Sequence, residues 1–155
     1  MLRILFVDDE EYYALAFLDA LKAHFNVQYV RHPDGAIRMI NEQKFDGIVL
    51  DIRMMLPTGG RKEVLDDGNF SGLWVLHKCE DKLTRDGTRI CILTNVNLAR
   101  VRGKIQDFEI KIPDHQLQLS AKGETTARFF PLDLETFLRR PAGGSGDEAE
   151  GPAGQ

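Results

Sequence analysis

The sequence predicts a single α/β domain, a doubly wound five-stranded parallel sheet with helices on both faces. Three observations carry that reading. Short apolar runs alternate with segments of helical periodicity, strand then helix, five times over. The first run, residues 2–7, is continuously apolar and includes β-branched members, as a strand buried on both faces should be. Polar residues stand where the runs end: Asp8 and Asp9, Asp51, Thr94 and Lys122. In an open parallel sheet, ligands bind at the carboxyl ends of the strands. Four strands thus deliver carboxylates, a hydroxyl and an ammonium to one edge, a set that suits Mg²⁺ and a phosphoryl group.

The elements follow in order. After strand one, a helix is expected from about Glu10 to Phe25, with Ala14, Phe17, Leu18, Leu21 and Phe25 at helical spacing. Asp9, Glu10 and Glu11 would sit at its start, where the helix dipole favours acids. Strand two is Val27 to Val30. His32-Pro33-Asp34-Gly35 opens a second helix with Ala36, Ile37 and Ile40 inward. Strand three is Gly47 to Leu50. Residues 54–71 read as a long loop with one helical turn at Lys62 to Leu65, either a gating or partner-binding element or a tolerated surface insertion. Helix three spans Gly72 to Leu83, with Leu73, Leu76 and Trp74 inward; strand four spans Thr88 to Leu93. Helix four, Asn97 to Phe108, carries Leu98, Val101, Ile105 and Phe108 on one side. The segment Glu109 to His115 shows no clear period. Strand five is Gln116 to Ala121, and a short helix five runs from Asp133 to Arg139 with Leu134, Phe137 and Leu138 inward.

The domain is expected to end at residue 140. Residues 141–155, rich in Gly, Ala, Pro, Ser and acid, lack the apolar surface to order themselves and read as a disordered tail. A net charge of -4 with no dense basic stripe argues against nucleic acid as a partner. No apolar run nears the roughly 20 residues that span a membrane, and the N-terminus enters a strand directly, so neither a membrane anchor nor a signal peptide is expected. Cys79 and Cys91 lie in apolar segments without metal-ligand spacing, which fits buried thiols and a cytoplasmic location. His24, His32, His77 and His115 are scattered. Gly59-Gly60-Arg61-Lys62 lacks the spacing of a phosphate-binding loop.

Phe6-Val7-Asp8-Asp9-Glu10, Ile48-Val49-Leu50-Asp51-Ile52-Arg53-Met54 and Ile92-Leu93-Thr94 resemble the receiver domain of two-component response regulators. The resemblance covers residues 1–140 and implies the flavodoxin-like strand order 2-1-3-4-5. It implies a stand-alone receiver in a phosphorelay, a signalling domain whose only chemistry is its own phosphotransfer and dephosphorylation. Asp51 would accept a phosphoryl group from a sensor histidine kinase or a phosphotransfer protein. Asp8, Asp9, Asp51 and the backbone carbonyl of Arg53 would hold Mg²⁺. Thr94 would donate its hydroxyl to a phosphoryl oxygen and Lys122 would pair with the phosphoryl charge. Output would pass to a downstream protein that the sequence does not name.

The chain departs from that pattern at several places. Proline arrives late, at Pro57, and the expected glycine only at Gly72, after the 54–71 insertion. Asn95 stands where a small residue is usual, Leu119 where an aromatic is common, and Gly123 where proline is usual. Lys111 is a second candidate for the lysine, although the alternation of 116–121 favours Lys122. Two other functions stay open. One is a non-phosphorylated pseudo-receiver serving as a protein-interaction module. The other is an Asp-nucleophile phosphohydrolase, disfavoured because Arg53 fills the place where a second acid is usual.

Overall fold

Each apolar run becomes a strand, and the helical segments pack against the sheet they punctuate. The structure, a computed structural model, describes residues 1–142. The predicted tail therefore lies, beyond residue 142, outside the described residues. The strands are β1 (Arg3–Val7), β2 (Asn26–Val30), β3 (Gly47–Leu50), β4 (Arg89–Thr94) and β5 (Leu117–Ala121). The helices are α1 (Glu11–Lys22), α2 (Pro33–Glu42), α3 (Ser71–Asp86), α4 (Leu98–Asp107) and α5 (Phe130–Arg139). All neighbouring strands pair in parallel, and the sheet runs β2-β1-β3-β4-β5. Fold class and strand order are as the sequence predicts.

Strand alternation divides the interior into two layers. On one face Leu5, Val7, Ile48, Leu50, Ile90 and Ile92 pack with side chains of α2, α3 and α4. On the other, Ile4, Phe6, Val49, Cys91 and Leu93 pack with α1 and α5. No described helix is long and apolar enough to cross a membrane.

Several boundaries and orientations differ from expectation. Helix α3 runs past Leu83 to Asp86, where Gly87 at φ 68° closes it and donates its N–H to Leu83 and Thr84 carbonyls. Helix α5 begins at Phe130, earlier than Asp133, because Pro131 falls in its first turn, where a missing N–H costs nothing. In the segment after α4, Ile110 and Ile112 are buried and a 3₁₀ turn at Asp114–Gln116 leads into β5. Of the α4 residues expected inward, only Val101 is fully buried. Trp74 is half-buried on the outer side of α3, beside Val64 and Leu65, with the Lys78 ammonium 4.6 Å from its ring centroid.

The insertion, residues 54–70, is not a loop draped over the surface. Leu65 and Phe70 lie fully inside. The Met54 N–H donates to the Gly68 carbonyl at 3.1 Å and closes the neck. The predicted helical turn forms, with Val64 and Leu65 N–H groups donating to the Arg61 carbonyl at 3.1 and 2.9 Å. Both shoulders are pinned. Thr58 donates its amide and hydroxyl to the Asp34 carboxylate of α2, the hydroxyl at 2.6 Å. Asp66 pairs with Arg100 of α4 at 3.1 Å, and the Arg100 and Lys104 cations sit 5.3 and 5.5 Å from the Phe70 ring centroid.

The return from the insertion depends on Gly72. A Cβ there would lie 2.3 Å from the Asp51 carbonyl oxygen and 2.8 Å from the Ile52 Cα. The Gly72 N–H donates to the Ile52 carbonyl at 2.8 Å, so helix and strand backbones are in direct contact. Gly72→Ala should therefore destabilise the protein by about 2–3 kcal/mol, as overpacking against immovable backbone does. Urea denaturation checks this; a loss below about 0.5 kcal/mol, the range of an ordinary surface change, would contradict the close packing.

Candidate functional site

Strand register brings the polar residues together. Val7 pairs with Leu50, and Thr94 pairs with Ala121. The next residues of β1, β3 and β5 are Asp8, Asp51 and Lys122, so they emerge side by side on one edge. The Asp51 N–H donates to the Val7 carbonyl at 2.9 Å, which carries the alignment one residue past the strands.

The Lys122 ammonium occupies the centre. It donates to Asp51 Oδ2 at 2.9 Å and to Glu10 Oε1 at 3.2 Å. Asp8 Oδ2 also lies 2.9 Å away, close enough for an ion pair but without hydrogen-bond alignment, so this buried oxygen has no hydrogen-bond donor. The side chains of Lys122, Asp8 and Asp51 are 1%, 1% and 3% exposed. Asp8 Oδ1 accepts from the Glu10 N–H at 2.8 Å, and the Asp8 carbonyl accepts from the Tyr29 hydroxyl at 2.9 Å. Asp51 Oδ1 accepts a long bond, 3.3 Å, from the Arg53 N–H. Asp9 sits on the rim and accepts from the Met55 N–H of the insertion at 3.1 Å.

These contacts and burial set the charge states. Burial pushes the Asp51 carboxyl up to about 6; Lys122 pulls it back, Asp8 pushes it further, and the Thr94 hydroxyl lowers it slightly. Burial likewise raises Asp8 against its contacts with Lys122 and the Glu10 amide. Burial alone would lower Lys122, but the close carboxylate charges of Asp51 and Asp8 and the hydrogen bond to Asp51 reverse that and hold the ammonium charged.

Thr94 is fully buried beside Asp51, its hydroxyl accepting from the Val96 N–H at 3.2 Å. Carboxylate oxygens of Asp8, Asp9 and Asp51 lie within 4.8 Å of one another. The donor set is all oxygen, and one of its atoms is buried without a hydrogen bond. That fits a hard divalent cation. Arg53 is exposed on the rim of the same cleft, a space of about 280 Å³ that Asp9, Glu10, Asp51, Met54, Asp67, Gly68 and Asn95 also line.

All the predicted site residues thus converge, and Lys111 drops out: it is exposed, and its N–H faces Glu80 at 3.4 Å. Sequence reasoning missed Glu10, read only as part of an acidic helix start, and Tyr13, three residues on and so on the same helical face. Asp67 and Gly68 reach the rim through the insertion's folding, which no local pattern announces. Neither cysteine belongs to the site. Both are buried, and burial pushes their thiols up to about 11 for Cys79 and about 12 for Cys91, so neither is a nucleophile near neutral pH.

No protein-family model matches the sequence, and no curated protein matches it. Solved structures do match. A CheY-like response regulator receiver domain protein from Methanospirillum hungatei aligns with a TM-score of 0.65 at 16% identity, covering 89% of this chain and 94% of that one. The fold is that of a response-regulator receiver domain. The signal receiver domain of a putative Luxo repressor protein from Vibrio parahaemolyticus gives a TM-score of 0.64 at 18% identity over 90% of this chain and 91% of the other. A response regulator protein from Burkholderia pseudomallei, solved with a phosphorylated aspartic acid, calcium ion and citrate, gives 0.63 at 22% identity, covering 99% of this chain and 73% of that one.

The raised Asp51 carboxyl makes a pH prediction. An unfolded aspartate titrates near ~3.9, and the folded one near 6. Between those values the folded state binds the extra proton, so this group's contribution to stability falls as pH rises through the window. In metal-free buffer, the stability of wild type relative to Asp51→Asn should fall by on the order of 2–3 kcal/mol from about pH 4 to about pH 6.5. Urea denaturation at several pH values reads this, and a flat difference would show that Asp51 is not desolvated.

Proposed function

We propose that this chain is a phospho-acceptor of a phosphorelay, loaded on Asp51 by a sensor histidine kinase or a phosphotransfer protein. One observation carries the reading: a fully buried lysine held 2.9 Å from each of two buried aspartates at the carboxyl edge of the sheet. Such a site is costly to bury unless it serves a ligand. The fold it shares with the Burkholderia protein, whose structure holds a phosphorylated aspartic acid, supports the same reading.

In the transfer, a carboxylate oxygen of Asp51 attacks the phosphorus of a phosphohistidine. The P–N bond breaks as the O–P bond forms, and the imidazole leaves with the bonding electrons. Lys122 gives up its bond to Asp51 and pairs with the incoming phosphoryl oxygens. The Thr94 hydroxyl turns to donate to one of them while still accepting from Val96. Asp8, Asp9, Asp51 and the Arg53 carbonyl would hold Mg²⁺, which when bound offsets the clustered carboxylates and the charge on the phosphoryl oxygens. The signal then passes to a downstream protein. Two buried, unreactive thiols suit a cytoplasmic setting.

A second reading, an unphosphorylated pseudo-receiver acting as an interaction module, draws on the cleft rim. Asn95, Asp67 and Gly68 narrow the approach to Asp51, and Lys122 already engages both carboxylates. Labelling with acetyl phosphate separates the two. Intact mass should show one added phosphoryl group in wild type with Mg²⁺, at least tenfold less without it, and none in Asp51→Asn. Absence of labelling by acetyl phosphate and by every phosphohistidine donor tried, with no Mg²⁺ binding in titration calorimetry, would favour the interaction module.

A further inference from the structure

Lys122 opens a 3₁₀ turn, Lys122–Glu124, at the end of β5. The residue after it is Gly123, where an added Cβ would meet nothing within 4 Å, so no side chain at that position packs against a neighbour. The ammonium donates to Asp51 and Glu10, whereas Asp8 holds it by charge alone. Charge attraction is non-directional, and Glu10, with its side chain 59% exposed, offers a competing position toward solvent at 3.2 Å.

Tyr13 of α1 touches both ends of this lysine. Its ring centroid lies 4.4 Å from Lys122 Nζ, and its hydroxyl donates a long bond, 3.4 Å, to the Lys122 carbonyl. The ring is itself fixed. It stacks on Phe17 at 5.0 Å and 22°, and Phe17 meets Phe130 of α5 edge-on at 5.6 Å. Phe17 and Phe130 are both buried. The chain from Phe130 through Phe17 to Tyr13 therefore ends on the ammonium. A desolvated cation over an aromatic face is a substantial attraction.

We propose that Tyr13 is the positioning residue of Lys122: its ring backs the ammonium onto Asp51 and Asp8, and its hydroxyl holds the lysine's own main chain. The support behind the Tyr13 ring comes across the α1–α5 layer, through Phe17 and Phe130. This rests on the reading of Lys122 as the counter-charge to the phosphoryl group.

The test uses the full chain, acetyl phosphate and Mg²⁺, and reads the initial rate of Asp51 labelling. Tyr13→Phe keeps the ring and should slow labelling by up to about threefold, the loss of one weak hydrogen bond. Tyr13→Leu should slow it about tenfold, with Mg²⁺ affinity unchanged. In a Lys122→Ala background Tyr13→Leu should cost nothing further. Equal losses in both backgrounds would overturn the proposal, because Tyr13 would then act only as packing; so would a Tyr13→Leu variant as fast as wild type. A second readout needs no phosphoryl group. The ε-methylene protons of Lys122 should be shifted upfield by the ring in NMR spectra of wild type and Tyr13→Phe, and this comparison survives a Tyr13→Leu that fails to fold. Unshifted protons in wild type would overturn the clamp. Shifted protons in a protein that no donor labels would leave the clamp standing and remove the phospho-acceptor reading instead.

Discussion

A lysine buried between two aspartates is the constraint on which the rest of this molecule turns. Asp8 and Asp51 bring two negative charges into the protein and Lys122 brings one positive charge, all nearly inaccessible to water. An ion cluster of this kind is weak evidence for stability, because desolvation cancels much of the attraction. Its imbalance is the informative part. One negative charge is left over, Asp9 adds another at the rim, and one Asp8 oxygen is buried with no hydrogen-bond donor. The protein carries an edge that a divalent cation would complete. The sheet makes that edge possible, because three in-register parallel strands end together and present consecutive side chains to the same place.

The insertion changes the surroundings of that edge without altering its centre. It is tied to α2 through Thr58 and Asp34, to α4 through Asp66 and Arg100, and to the acidic rim through the Met55 N–H and Asp9. Leu65 and Phe70 anchor it in the core, so it is part of the domain's packing. The same segment that narrows the cleft with Asp67 and Gly68 also grips α4, the helix that starts four residues after Thr94. Helix α4 has only Val101 fully buried, with Ile105 and Phe108 packed partly against the core, and the Arg100 and Lys104 cations over the Phe70 ring add contacts from the insertion.

Much of this could be read from the chain alone, for identifiable reasons. Buried parallel strands leave apolar runs that few other structures produce, and the residues that end them announced Asp8, Asp51, Thr94 and Lys122. The alternation in 116–121 favours Lys122 over Lys111, and it is Lys122 whose ammonium reaches Asp51. Other features left no local trace. Leu65 and Phe70 stand in a stretch that is mostly charged or polar, and only tertiary contacts bury them. Trp74, apolar and next to the inward Leu73, reads as inward by pattern, but it lies half-buried on the outer side of α3 beside Val64 and Leu65. The apolar spacing that marks α5 starts at Leu134, whereas Phe130 and Pro131 form its first turn, where proline is compatible with a helix. Tyr13 and Glu10 were hidden by their neighbours: an acidic, aromatic helix start has an ordinary explanation, and their contact with Lys122 spans more than a hundred residues of sequence.

The central claim is that Asp51, Asp8 and Lys122 form one pocket for a divalent cation and a phosphoryl group. Beryllofluoride, a non-transferable stand-in for that group, tests it most directly by ¹⁹F NMR on the intact chain. The account predicts bound fluorine resonances that appear only with Mg²⁺ and vanish in Asp51→Asn and in Lys122→Ala. Bound resonances that persist without Mg²⁺ or in Asp51→Asn, or no bound resonance in wild type at saturating Mg²⁺, would contradict it.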